Sequence, residues 1–293
     1  MTDTAVSPAA RRALVLGGGG ATGVAWLVGM IQGFADSGID LRTADYVIGT
    51  SAGSIVGSLV ANGADPDDME RQVLDTDPAL TTEAMAALDF TEILALFAAW
   101  EAMPDASPAS CQTIGAMALA AKTIPATRFR ELLDPEIDAQ WPKGAFACTA
   151  VDAVSGEFVV LNAAADVLLA DAIASSICVP GIFPPVEVNG RHLVDGGLRS
   201  GTNADLAVGY DRVIVLAPIG SRLDGMDVAA NRAALAEIAG LEAAGTVCTL
   251  LFPDDVTNDV IGIDRMNVAI SAAVIAEGRR HGGVVAATLA GTW

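Results

Sequence analysis

Gly49-Thr50-Ser51-Ala52-Gly53 is a G-x-S-x-G pentapeptide. It lies between the apolar run Tyr46-Val47-Ile48 and a helix-compatible run from Ile55 to Ala61. A serine on the sharp turn from a strand into a helix has its hydroxyl pushed clear of the backbone. Small neighbours such as Gly49 and Gly53 let the chain turn tightly and let a substrate approach. The chemistry of that layout is acyl transfer through a serine ester. The same five letters also fit a buried small-residue turn, so partners elsewhere in the chain must decide.

Ester cleavage puts negative charge on the former carbonyl oxygen, and backbone N–H groups at a helix N-terminus can stabilise it. Gly17, Gly18, Gly19 and Gly20 precede a helix-compatible segment and could form such an oxyanion loop. Gly18-x-Gly20-x-x-Gly23 also satisfies the dinucleotide fingerprint. The acidic residue of that fingerprint should end the next strand, whereas Asp40 and Asp45 precede it. A nucleotide-binding protein is therefore the runner-up.

The serine also needs a base. Of the two histidines, His192 stands three residues before Asp195, on the opposite face of a regular strand. His281 sits between Arg279-Arg280 and Gly282-Gly283, which reads as a helix C-terminus. Asp195-Gly196-Gly197, at the end of a hairpin strand, is the better candidate. A solvated aspartate, with a pKa of about 3.9, is a poor base for an alcohol. Held dry against the hydroxyl, it can take the proton as the transition state forms. A local Asx-turn is the structural alternative for Asp195. No paired His, Asp or Glu spacing suggests a metal, and no cofactor is expected.

The elements that must position these residues follow from pattern. Ala13–Leu16 reads as a buried strand, Gly17–Gly20 as a loop, Thr22–Ser37 as a helix, then a strand ending at Ile48 and a helix over Ser51–Asn62. This β-α-β-α start implies a parallel sheet. Asp65-Pro66 opens a helical region reaching about residue 142, with helices at 83–103 and 111–121 interrupted by Pro104, Pro108, Pro125 and Pro135. It could pack on the core or form a lid over a greasy cleft. Strands follow at 146–151, 157–161, 186–188 and 192–194, the last two around the hairpin signal Asn189-Gly190. Strands at 213–217 and 247–252 alternate with helices at about 226–244 and 264–280. A flexible tail over residues 1–12 and one domain over 13–293 is the economical division.

At 52% hydrophobic and 18% charged residues, 293 residues can bury a large core, which excludes global disorder. Sixteen basic against 36 acidic residues give a net charge of −20, which disfavours nucleic acid and anionic membranes as partners. Cys111, Cys148, Cys178 and Cys248 are widely spaced without a C-x-x-C pair, as in reduced cytoplasmic proteins. The uncharged stretch Ala13–Ala35 imitates a membrane anchor, but four consecutive glycines would break it.

The ordered motifs GGGGATG (17–23), GTSAGS (49–54), Ser176-Ile177-Cys178-Val179-Pro180-Gly181-Ile182-Phe183-Pro184-Pro185 and Val194-Asp195-Gly196-Gly197-Leu198 resemble those of the patatin-like phospholipases. The resemblance covers residues 13–63 and 172–217 and implies a three-layer αβα fold with a mostly parallel sheet. It implies Ser51 as nucleophile, Asp195 as base, the Gly17–Gly20 loop as oxyanion hole, and no catalytic histidine. Many members carry a basic residue where this chain has Thr22, and a proline where Ala204 follows Asn203. The expectation is a cytoplasmic hydrolase of lipid esters that touches a membrane at most transiently. An acyltransferase working through the same pair, or a catalytically silent acyl-binding protein, would fit the same motifs. Oligomeric state is not readable.

Overall fold

The computed structural model describes residues 10–133, 140–220, 229–289 and 293. Numbered in chain order, the strands are β1 (Arg12–Leu16), β2 (Tyr46–Gly49), β3 (Phe146–Asp152), β4 (Phe158–Asn162), β5 (Val186–Val188), β6 (Arg191–Asp195), β7 (Arg212–Leu216) and β8 (Val247–Leu251). The helices are α1 (Gly20–Asp36), α2 (Ala52–Ala61), α3 (Pro66–Asp75), α4 (Ala79–Ala87), α5 (Phe90–Glu101), α6 (Pro108–Ala120), α7 (Ala126–Leu133), α8 (Leu169–Ile177), α9 (Ala229–Ala243), α10 (Asp255–Ile261) and α11 (Ser271–Leu289).

Five strands run parallel in the order β3-β2-β1-β7-β8. β4 and β6 pair antiparallel with β3, and β5 pairs with β6. β1 shows why the sheet is buried on both faces. Leu14 and Leu16 pack into one core with α1, α2 and α11, whereas Ala13 and Val15 pack into a second core under α9. Alternate side chains leave a strand on opposite faces, so the continuous apolar run is the signature of a middle layer. The result is a mixed α/β, three-layer architecture.

α1 is covered on nearly all sides, from Thr22 to Phe34. Its tightest neighbour is α11, where a Cβ on Gly29 would lie 2.2 Å from the Ile275 carbonyl oxygen and one on Gly33 would lie 2.2 Å from that of Arg279. A glycine inside a helix costs about 1 kcal/mol relative to alanine. Close axial packing of two long helices offsets it. His281 therefore lies inside α11, not at a helix end as the Gly282-Gly283 pair suggested, because Gly282 packs against Met30 of α1.

Other differences have local causes. The expected helix over 83–103 is split at Leu88-Asp89, where the Asp89 carboxylate caps α5 through the Thr91 and Glu92 N–H groups. Pro108 starts α6 at its first turn instead of interrupting a helix. The last helix begins at Ser271, since Asn267 caps a short 3-10 turn before it, and runs on to Leu289. The sequence pattern does not announce α10, which Asp254 caps. The expected tail, residues 1–12, falls mostly outside the described residues, and Arg12 already belongs to β1.

Candidate active site

Ser51 and Asp195 are 144 positions apart in sequence and meet through β3. Cys148 of β3 is registered with Gly49 at the end of β2, and Ala150 with Asp195 at the end of β6. β4 occupies the other edge of β3 over residues 147–151, so β2 and β6 share one edge. One runs parallel to β3 and the other antiparallel, so they approach end to end. Only Thr149 separates the two registered positions, about 7 Å of strand. The serine turn and the aspartate turn face each other across that gap.

Ser51 has φ 52° and ψ −122°, a conformation that L-residues rarely adopt. Such a position costs about 1–3 kcal/mol and needs surroundings that hold it. The Ser51 N–H donates to Ser176 Oγ at 3.0 Å, and the Thr50 N–H donates to the Leu16 carbonyl at 3.0 Å. Gly53 lies so close to β1 that a Cβ would stand 1.9 Å from the Leu16 oxygen, and one on Gly49 would stand 2.5 Å from the Gly53 oxygen. Both elbow glycines are demanded by space.

The Asp195 carboxyl is buried beside the Ser51 hydroxyl, which favours its charged form, and accepts the Gly197 N–H at 2.7 Å. The Asx-turn and the contact with Ser51 thus coexist. Burial raises its pKa to about 7, opposed by the Ser51 hydroxyl and the Gly197 N–H, which favour the charged form. An aspartate in this state exists in both protonation forms near neutrality.

The glycine loop divides into two pairs. The Gly17 N–H donates to Leu216 O at 2.8 Å and the Gly18 N–H to Gly201 O at 2.9 Å, which ties the loop to β7 and to the segment after Asp195. The N–H groups of Gly19 and Gly20, at the start of α1, have no acceptor among the described residues. The loop passes directly over the serine: a Cβ on Gly18 would lie 3.1 Å from Ser51 Cβ.

Ser51 opens into a mainly apolar cavity of about 150 Å³. Its walls come from α1 and α2 (Ala21, Val24, Ile55, Leu59), from α3, α4 and α7 (Val73, Leu80, Leu132), and from Val179 and Phe183 after α8. A separate open groove of about 240 Å³ between α5 and α6 touches Gly181 but is not lined by Ser51. Among the described residues, no group of three His, Cys, Asp or Glu could hold a metal ion, and no helix is long and apolar enough to cross a membrane.

Residues 14–208 match the family described as patatin-like phospholipase. The chain belongs to that family. Curated relatives described as uncharacterized NTE family proteins of Mycobacterium tuberculosis and Mycobacterium bovis are 31% identical over 212 residues, which is 69% of this chain and 49% of theirs. The chain spans about half the length of these relatives. Among solved structures, it is similar to VipD from Legionella pneumophila, with a TM-score of 0.48, 14% identity, and coverage of 96% of this chain and 67% of that one. It is also similar to the type III effector ExoU, with a TM-score of 0.42, 18% identity, and coverage of 97% and 54%.

Thr22 and Ala204, the two positions expected to depart from the family pattern, have local settings that fit the residues present. Thr22 is buried in the first turn of α1, and its hydroxyl donates back to the Gly19 carbonyl at 3.4 Å, so this position supports the loop and supplies no charge. The Ala204 N–H donates to Glu237 Oε2 at 2.8 Å, a bond that a proline could not make. Asp40 pairs with Arg42, and Asp45 accepts the Arg12 N–H at 2.7 Å, so both acids of the nucleotide reading are engaged locally. His192 lies opposite Glu187 in the β5–β6 hairpin. Ser176 and Asn203 carry contacts that residue type alone did not announce. The end-to-end meeting of β2 and β6 is the missing signal, and only the sheet register contains it.

Proposed function

We propose that the protein hydrolyses carboxylic esters of lipids through Ser51 and Asp195. The observation that carries this is a serine hydroxyl beside a buried carboxyl, at the mouth of an apolar cavity and beneath a glycine loop with two N–H groups that have no acceptor among the described residues. Family membership supports a lipid acyl ester as substrate.

In this mechanism, ionised Asp195 accepts the Ser51 proton as Ser51 Oγ attacks the ester carbonyl. The oxyanion forms beside the N–H groups of Gly19 and Gly20, while Gly17 and Gly18 hold the loop in place. Collapse of the intermediate breaks the bond to the alcohol, which leaves with the proton from Asp195. Water then loses a proton to Asp195, attacks the acyl-enzyme, and releases the acid as the proton returns to Ser51. The raised pKa matters because a base near neutral pKa matches the operating pH better than a surface aspartate. The cavity takes the acyl chain, and α3, α4 and α7 roof it as a lid on a single domain. The alcohol side meets solvent, or a membrane surface reached transiently from the cytoplasm.

The test is hydrolysis of short and long p-nitrophenyl esters, with fluorophosphonate labelling of the intact protein. Ser51→Ala is expected to abolish both, and Asp195→Asn to lower turnover about 10²–10⁴-fold. Labelling at a residue other than Ser51, or full turnover by Asp195→Asn, would refute the mechanism. Transfer of the acyl group to an added lysolipid in preference to water would favour an acyltransferase on the same pair.

A further inference from the structure

Asn203 lies in the segment that follows Asp195, fully buried, with its backbone in the left-handed region at φ 51° and ψ 37°. Its side-chain amide reaches four oxygens: Ser200 O at 2.8 Å, Thr50 Oγ1 at 3.1 Å, Thr149 Oγ1 at 3.3 Å and Gly196 O at 3.3 Å. Its amide oxygen accepts from the Arg199 guanidinium at 2.8 Å. The orientation of the amide is forced, because carbonyls only accept and a guanidinium only donates.

Three of these partners belong to the junction described above. Thr50 precedes Ser51, Gly196 follows Asp195, and Thr149 is the β3 residue that separates the two strand ends. The hydroxyls of Thr50 and Thr149 also bond to each other at 2.8 Å. Arg199 is itself held by Asp205 at 2.6 Å and lies over the Phe158 ring at 4.3 Å. One amide thus spans the serine turn, the aspartate turn and the strand beneath them.

From this placement we infer that Asn203 is a positioning residue that sets the separation of Ser51 and Asp195. The inference rests on the proposed mechanism. A small misplacement of reacting groups, on the order of 1 Å, costs about a hundredfold in rate. A positioning role therefore shows in kcat and leaves KM nearly unchanged, because neither Asn203 nor Thr50 lines the apolar cavity.

The experiment measures kcat and KM on a p-nitrophenyl ester, with active sites counted by fluorophosphonate titration. Asn203→Gly removes the amide but keeps the left-handed backbone. It is expected to lower kcat about 30- to 100-fold with KM within about twofold. Thr50→Val is expected to lose a similar factor and Thr50→Ser to recover most of it. The double variant Asn203→Gly/Thr50→Val should be no worse than the poorer single one, because both remove the same link. Wild-type kcat in Asn203→Gly, or losses that multiply in the double variant, would overturn the inference. If Asn203→Gly does not fold, Thr50→Val and Thr50→Ser decide: equal kcat in the two overturns it. Full activity in Ser51→Ala would instead overturn the mechanism, so the two failures are distinguishable.

Discussion

The junction of β2 and β6 and the helical segment α3–α7 are built in opposite ways. Around Ser51 and Asp195, the polar side chains Thr50, Thr149, Ser176 and Asn203 are buried and hydrogen-bonded. In α4 and α5 the only buried side chains are Ala84 and Leu96, while Phe90 and Leu94 of α5 are 68% and 70% exposed. Polar contacts in this segment include helix caps such as Asp89 and exposed ion pairs such as Arg128 with Glu83 and Glu131. Exposed pairs contribute little, about 0–1 kcal/mol, whereas a broken buried network leaves groups that each cost about 1–3 kcal/mol. The first region holds its atoms through buried polar contacts, whereas α4 and α5 each bury a single side chain.

That contrast can be broken experimentally. The largest effect is expected from Asp195→Asn, a 10²- to 10⁴-fold fall in ester turnover with the fold intact. Gly19→Ala comes next. Its Cβ would stand 2.6 Å from Pro218 Cβ, so the loop must shift, and displacing the proposed oxyanion donor is expected to cost about 10²–10³-fold in kcat.

The pH dependence sharpens the assignment of Asp195. In the proposed mechanism the carboxylate must be ionised to take the serine proton, so kcat/KM should rise with pH through about 7 and then level off. A profile flat from pH 5 to 9 would contradict this. Stability should run the other way. The folded pKa of about 7 exceeds the unfolded value, so the folded state binds this proton more tightly and loses stability as pH rises from about 4 to about 7. Asp195→Asn should therefore melt at least about 3 °C above the wild type at pH 8 and close to it at pH 4, as read by scanning fluorimetry.

Smaller effects belong to the helical segment. Leu80→Trp, in the cavity wall, is expected to cut kcat/KM for a dodecanoyl ester about tenfold and to spare the acetyl ester. Equal losses on both esters would mean that the cavity does not hold the acyl chain. Phe90→Ser with Leu94→Ser should change the stability by no more than about 0.5 kcal/mol each, since both side chains already face solvent. A large drop in the melting temperature would show that α5 is packed more tightly than its exposure indicates.

The strand-loop-helix order from Ala13 to Asn62 was legible because buried strands, glycine turns and helical runs each leave a local pattern. Asn189-Gly190 announced its hairpin for the same reason, and both residues have positive φ. The segment 65–142 was less legible. Its alanine- and leucine-rich composition hides the break at Leu88-Asp89, which is set by a capping carboxylate and not by a proline. The length of α11 is hidden in the same way, because a glycine pair can end a helix or admit a neighbouring one.

By itself, the sequence determined which residues could do the chemistry: a serine between small residues, a run of glycines before a helix, and an aspartate before two glycines. It did so because reactive type and local turn geometry are short-range properties. Only the tertiary structure decided which of them meet. β3 brings Ser51 and Asp195 together because β2 and β6 end against the same edge of it, with only Thr149 between their ends, a register that no local pattern contains. The structure also decided that, among the described residues, the Gly19 and Gly20 N–H groups have no acceptor, because β7 and the Gly201 carbonyl take those of Gly17 and Gly18 instead.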